Sequence, residues 1–327
     1  MKRDELLKLL RQAYPQYLSG QHVSETLGIS RAGVWKHIEE LRKQGYEIEA
    51  VPRKGYQLIS SPNSLSHEEI HARLETAWLG SELIYEPEVS STQDIAHTKA
   101  QAGAKEGLAV VSDRQIKGKG RLGRPFYSEP EHGIYTSVIL RPDVMPYQAP
   151  QLTLVTAVAM CEAFQDVTGV TPEIKWPNDI LFSGRKTCGI LTEMQSEPDR
   201  IQAVIIGVGM NINQQPQDFS EELQNIATSL RAETGETYNR AEVLAAVYSR
   251  LEHWYVTYIH EGFAPIKAAW EHYAVSIGRE LTARSATSTI TGKAEGITEE
   301  GMLLLRDETG TIHKIYSADV EITRSDS

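Results

Sequence analysis

The chain has 327 residues, of which 40% are hydrophobic and 24% charged, and a net charge of −11. That is the composition of a globular protein with room for two or three domains. No apolar run approaches the roughly 18 residues of a membrane span, and the first residues lack a signal-peptide pattern. The only cysteines are Cys161 and Cys188, so a disulfide framework is excluded, a cytoplasmic setting is expected, and both thiols are expected to serve packing.

Charge is unevenly spread. Residues 1–60 carry +3 and the remainder −14, a pattern that suits nucleic-acid binding through the first segment alone. That segment reads as three helices and a hairpin. Asp4 would cap a helix bearing Leu6, Leu7, Leu9 and Leu10. A short helix covers about Gln21 to Leu27, and Gly28-Ile29 makes a turn. Ser30 caps a third helix with Val34, Ile38 and Leu41 at i, i+4 and i+7, and Gly45 stops it. EIEAV and YQLI then flank Pro52-Arg53-Lys54-Gly55 as a hairpin with a basic tip.

Helix–turn–helix plus basic hairpin is the winged arrangement. Its third helix enters the major groove by its N-terminal residues. Ser30, Arg31, Lys36 and His37 lie off the apolar stripe and are candidates for base or phosphate contacts. Arg53 and Lys54 would add phosphate or minor-groove contacts. Trp35 is expected to pack inside the domain, with a base contact as the alternative reading.

SSPNSLS (60–66) reads as a linker. HEEIHARLETAWL then has helical spacing at Ile70, Leu74 and Trp78. Ser91 would cap a helix through TQDIAHTKAQA that Gly103 ends. LAVVS (108–112) and GIYTSVILR (133–141) are strands, and residues 151–168 form an apolar helix ended by Gly169. EIKW, DILF, KTCGILTEM and RIQAVIIGVGMNI follow as successive strands, and helices over 239–260 and 264–273 close the region. Strands follow strands with helices before and after, which makes the class α+β. From about 276 the chain turns β-rich, as a barrel-like module of about 50 residues.

GKGRLGRPF (118–126) contains G-x-G-x-x-G. A Rossmann loop must follow a strand and open a helix whose N-terminus holds the pyrophosphate. LAVVS precedes, but Pro125 and Pro130 forbid the helix, so the dinucleotide reading fails. A Walker loop ending at Lys186-Thr187 fails because residues 180 and 185 are Ile and Arg. What remains is a flexible loop of backbone N–H groups and cations suited to folding over an anionic ligand. A second cluster is KWPNDI (175–180) followed by GRKTCGIL (184–191). It reads as a hairpin that brings Lys186 inward beside Asn178, where an ammonium needs an anionic partner. Gly189 would leave room for a ligand.

Five motifs in order, SSTQD (90–94), RQIKGKGRLG (114–123), KWPNDI, GRKTCGIL and GVGMNIN (207–213), closely resemble those of the biotin protein ligases. With the winged helix in front, the chain resembles the bifunctional ligase and biotin operon repressor type. The resemblance spans nearly the whole chain. It implies a winged domain at 1–62, a central mixed α/β ligase domain of class II synthetase type at 63–275, and an SH3-like β-barrel at 276–327. It further implies that biotin and MgATP give biotinyl-5′-AMP, which acylates a lysine of a biotin carboxyl carrier protein and also acts as corepressor on operator DNA, with the protein a homodimer there. Carried over by position, Ser91, Thr92, Gln93 and Gln115 would contact biotin. Lys119, Gly120 and Arg121 would close over the adenylate, and Lys186 would meet the biotin carboxylate beside Gly189. Asn178 would lie near ATP and Asp179 near its Mg2+. The catalytic weight falls on Lys186 and Arg121. The family loop is G-R-G-R-R-G. Here Lys119 and Leu122 replace two arginines, and a lysine cannot grip two oxygens as a guanidinium does. The competing classes are a ligand-sensing transcription factor without catalysis, which would not need Lys186, and a lipoate-type ligase, in which no leading winged helix is expected. Strands after 185 are the expected dimer edges.

Overall fold

The computed structural model describes residues 2–198, 200–285 and 288–322. The last residues of the expected barrel, 323–327, lie outside these. The chain divides into two compact units. The first comprises residues up to Glu75 together with Asn239–Ala245, and the second the rest.

In the first unit, α1 (Lys2–Ala13), α2 (Gly20–Leu27) and α3 (Arg31–Lys43) precede a hairpin of β1 (Glu47–Val51) and β2 (Gly55–Ser60). Leu6, Leu7 and Leu10 of α1 meet Val23, Leu27, Val34, Ile38 and Leu41 in one core. Ser19 and Ser30 cap α2 and α3, each accepting the N–H three residues on at 3.1 Å. Gly28 leaves α2 at φ +63°, a left-handed turn that glycine adopts without steric cost. Asp4 is not a cap, since α1 is already helical at Lys2 and Asp4 sits in its first turn.

The helix expected over residues 67–79 is short: α4 covers only His67–His71. The N–H groups of Ala77, Trp78 and Leu79 instead donate to the Glu252 carboxylate at 2.8–2.9 Å, which replaces the i−4 carbonyls a longer helix would offer. SSPNSLS is not a loose tether. Leu65 is fully buried, and Asn63 Oδ1 accepts the Arg240 N–H at 2.9 Å.

The second unit centres on a seven-stranded mixed sheet. Its strands are β3 (Leu83–Val89), β4 (Ala109–Gln115), β5 (Gly133–Leu140), β6 (Glu173–Lys175), β7 (Asp179–Phe182), β8 (Arg185–Ser196) and β9 (Ile201–Asn211), in the order β3-β4-β5-β9-β8-β7-β6. Only β3 and β4 run parallel within it; the remaining ladders are antiparallel. The strand β3 was not foreseen, because Pro87 breaks its pattern. A proline is tolerated there because β3 is an edge. β5 is buried along its whole length. Ala96 and Ala100 of α5 (Thr92–Gln101) pack near Val110, Ile139 and Ile205, and Tyr248 bonds Thr136 at 2.5 Å.

Helices α6 (Gln151–Thr168), α7 (Leu230–Thr234), α8 (Arg240–Glu261) and α9 (Ala264–Tyr273) complete the helical part. Strand β8 is not an edge throughout: Arg185–Gly189 pairs with β7, whereas Ile190–Ser196 pairs in the sheet only with β9. The C-terminal β domain is an antiparallel sheet of β10 (Glu280–Arg284), β11 (Thr289–Ile297), β12 (Leu303–Arg306), β13 (Ile312–Ile315) and β14 (Asp319–Ile322). Both cysteines are buried and free. Among the described residues no helix is long and apolar enough to cross a membrane.

Candidate active site

The turn from β3 into α5, the end of β4, the glycine loop, the β7–β8 hairpin and the glycine-rich β9 converge on one small cavity of about 50 Å3. Ser91, Thr92, Gln93, Gln115, Lys119, Gly120, Arg121, Asn178, Lys186 and Gly189 all line it. Asp179 lines an outer cavity of about 320 Å3 that shares Gly120, Arg121, Phe126, Asn178 and Lys186 with the inner one.

The inner end is neutral and hydroxyl-rich. Gln115 Oε1 accepts the Thr92 N–H at 2.9 Å and the Thr92 hydroxyl at 3.1 Å. Thr92 Oγ1 also lies 2.8 Å from Ser137 Oγ, and Ser137 donates to Gln93 Oε1 at 2.9 Å. Ser91 stands at the α5 N-cap but makes no capping bond. Its Oγ is buried without a protein hydrogen-bond partner. A buried hydroxyl left unpaired costs about 1–3 kcal/mol, and a polar ligand in the cavity would remove that cost.

The charged end is set by the two turns. Lys186 Nζ pairs with Asp179 Oδ1 at 2.7 Å, with the lysine side chain 35% exposed and the aspartate 23%. Arg121 donates to Asn178 Oδ1 at 3.1 Å and to Ser317 Oγ at 2.9 Å, both neutral groups. Burial lowers the Arg121 pKa, opposed by the Asp319 and Asp179 charges, but a guanidinium stays protonated in such a setting. Asn178 is fixed from behind, its Nδ2 donating to the Ile190 carbonyl at 2.9 Å. Lys119 pairs with Asp94 on α5, and Arg124 pairs with Asp319. The glycine loop is a miniature hairpin, with Gly120 N–H donating to the Arg124 carbonyl at 2.7 Å and Phe126 N–H to Gly118 at 2.9 Å. Leu122 is 72% exposed at φ +56°.

Sequence reasoning missed Phe126, Ser137, Gly207 and Gly209. Lys186 Nζ stands 5.7 Å from the Phe126 ring centroid. A side chain at Gly209 would put its Cβ 2.4 Å from that ring, and one at Gly207 2.5 Å from Gln93 Oε1. The alternating glycines of GVGMNIN were the available signal: on a strand, residues two apart share a face. The outer cavity adds Tyr127, Asn211, Phe219, Leu223 and Ile226. Among the described residues no three His, Cys, Asp or Glu side chains gather as a metal site. A Mg2+ held mostly by substrate phosphates needs only one or two carboxylates, so Asp179 fits that use and no all-protein cage.

In the first unit, Arg31, Lys36, Arg53 and Lys54 are exposed and His37 is half-buried. Ser30 Oγ is committed to the cap, Arg31 donates to Gln21 Oε1 at 2.5 and 3.1 Å, and His37 Nδ1 lies 3.2 Å from Glu40. Lys54 Nζ lies 5.5 Å from the Tyr17 ring centroid. The expectation that Trp35 packs inside is wrong: it is 58% exposed, because it lies about 100° round the helix from buried Val34.

Residues 85–211 match the Biotin/lipoate A/B protein ligase family, residues 2–57 an HTH domain, and residues 276–322 the Biotin protein ligase C terminal domain. The bifunctional ligase/repressor BirA of Bacillus subtilis is 51% identical over 320 residues, 98% of each chain. Its namesake from Escherichia coli is 30% identical over 93% of this chain and 92% of that one. Among solved structures, a biotin protein ligase from Aquifex aeolicus in complex with biotin and ATP superposes with a TM-score of 0.65 at 33% identity, covering 75% of this chain and all of that one.

Proposed function

We infer the function from one premise: the chain belongs to the biotin protein ligase family, in its bifunctional ligase and repressor form. It is an ATP-dependent ligase that makes biotinyl-5′-AMP and transfers biotin to a lysine of a biotin carboxyl carrier protein. It also represses biotin operon transcription with the adenylate as corepressor. We assign DNA binding to residues 1–62, catalysis to 63–275 and the small β domain to 276–327.

The observation that carries the chemistry is the single cavity into which Lys186 and Arg121 open beside a neutral hydroxyl cluster. The ureido ring of biotin needs neutral donors and acceptors, supplied by Ser91, Thr92 and Gln115. We assign Gln93 the positioning of Ser137. The biotin carboxylate then faces Lys186. Its attack on the α-phosphorus brings two anions together, and the Lys186 ammonium with the Arg121 guanidinium offsets that repulsion as charge shifts onto the departing pyrophosphate. Asn178 holds Arg121 in place. Mg2+ entering with ATP would neutralise phosphate charge beside Asp179. The apolar wall of Phe219, Leu223 and Ile226 suits the adenosine, and Lys119 and Gly120 belong to the loop that keeps water from the anhydride. In the second step a carrier lysine amine attacks the acyl carbon and AMP leaves.

On the first unit, Ser30, Arg31, Lys36, His37, Arg53 and Lys54 form the DNA-facing set, with a homodimer matching a palindromic operator. Two buried, unpaired thiols agree with a cytoplasmic setting. The test is mass spectrometry of a carrier domain incubated with the protein, biotin and MgATP. One biotinyl group on one lysine, dependent on ATP, is expected; an unmodified carrier refutes the ligase reading.

A further inference from the structure

Of the chain's five tryptophans, Trp35 alone is mostly exposed. Its polar neighbours on α3 are held by the protein: Arg31 one turn before it by Gln21, Glu39 one turn after it by Arg42 at 2.7 Å, and His37 by Glu40. Ala32, three residues earlier and so on the adjoining surface of the helix, is exposed as well. The first two turns of α3 therefore present a small apolar surface, Ala32 and Trp35, flanked by the cations Arg31 and Lys36, and Arg31 shares a groove with the wing cations Arg53 and Lys54.

We propose that Trp35 reads a base in the operator, its indole covering the C5-methyl of a thymine in the major groove. The proposal rests on the repressor reading above. Three observations favour this occupant. The residue lies in the N-terminal half of the helix that a winged helix inserts in the major groove. Apolar side chains there discriminate by contact with the thymine methyl, the one apolar feature on a base edge. With Glu39 neutralised by Arg42, the unpaired charge flanking the indole is positive, from Arg31 and Lys36, which suits DNA and disfavours a second copy of the same face, since like charges would meet.

The experiment uses the full chain with biotin and MgATP. Sites are selected from random duplexes by the wild type and by Trp35→Ala, and the selected thymines are then replaced one at a time by uracil, which lacks only the methyl. The wild type is expected to lose roughly fourfold in affinity per half-site at one position, the factor that burying one methyl-sized group is worth. Trp35→Ala should bind its operator more weakly, relax its preference at that position and ignore the uracil replacement. Its salt dependence and its ligase rate should match the wild type, because no phosphate contact is removed. A variant as selective as wild type, or one that still responds to uracil as wild type does, overturns the proposal alone. A wild type that selects no sequence overturns the repressor reading and the proposal with it.

Discussion

Replacing Lys186 with alanine separates chemistry from folding. The side chain is 35% exposed and its partner Asp179 23%, at 2.7 Å, so solvent screens the pair and its loss costs about 1 kcal/mol at most. Asp179 also keeps the Arg121 charge nearby. For a protein of this size that is a melting-temperature change of about 2 °C. The transition-state effect is larger. Removing one charge-stabilising donor from such a site lowers the rate about 10²- to 10³-fold, or about 2.7–4 kcal/mol. The assay is the initial rate of biotin-dependent pyrophosphate release at saturating ATP, with a thermal melt on the same sample. A rate within about threefold of wild type, or a collapse of the melt that accounts for the lost rate, would refute the reasoning.

Arg121→Gly should release biotinyl-5′-AMP into solution faster than wild type, since the loop loses its bonds to Asn178 and Ser317; retention of the adenylate as long as in wild type counts against it. Glu69 is fully buried against Arg73 at 2.5 Å, with Arg11 at 3.6 Å. Glu69→Ala leaves those cations unpaired and should destabilise the first unit by about 3 kcal/mol, read as a lower urea midpoint; an unchanged midpoint contradicts this. Asp307 is held well below the usual carboxylate range by His313 and then Thr309. Its contribution is therefore present above the unfolded value of about 3.9 and lost as pH falls through the depressed value. Asp307→Asn should melt below wild type at neutral pH, with the gap closing in acid; a gap that widens in acid is the contrary result.

Much of this was legible because period and turn chemistry agreed. Val34, Ile38 and Leu41 fixed the buried side of α3, and Ser183-Gly184 at left-handed φ turned the hairpin that brings Lys186 to the cavity. What was not legible depended on partners far along the chain. Leu74 and Trp78 have helical spacing, but Glu252, more than 170 residues away, captures the N–H groups around them. Ser91 has the composition and the position of a cap, yet its hydroxyl makes no capping bond. Pro87 hid an edge strand, and the wall at Phe219, Leu223 and Ile226 has no period because it belongs to a loop. Trp35 misled for a simpler reason: hydrophobicity argues for burial on average, and a single side chain on a helix can depart from that average.

The most direct test of the central claim is a structure of the protein with biotinyl-5′-AMP bound. The account predicts Lys186 Nζ and the Arg121 guanidinium both within hydrogen-bonding distance of the acyl phosphate, with the ureido ring on Ser91, Thr92 and Gln115. An adenylate lying elsewhere, or either cation turned to bulk solvent, would contradict it.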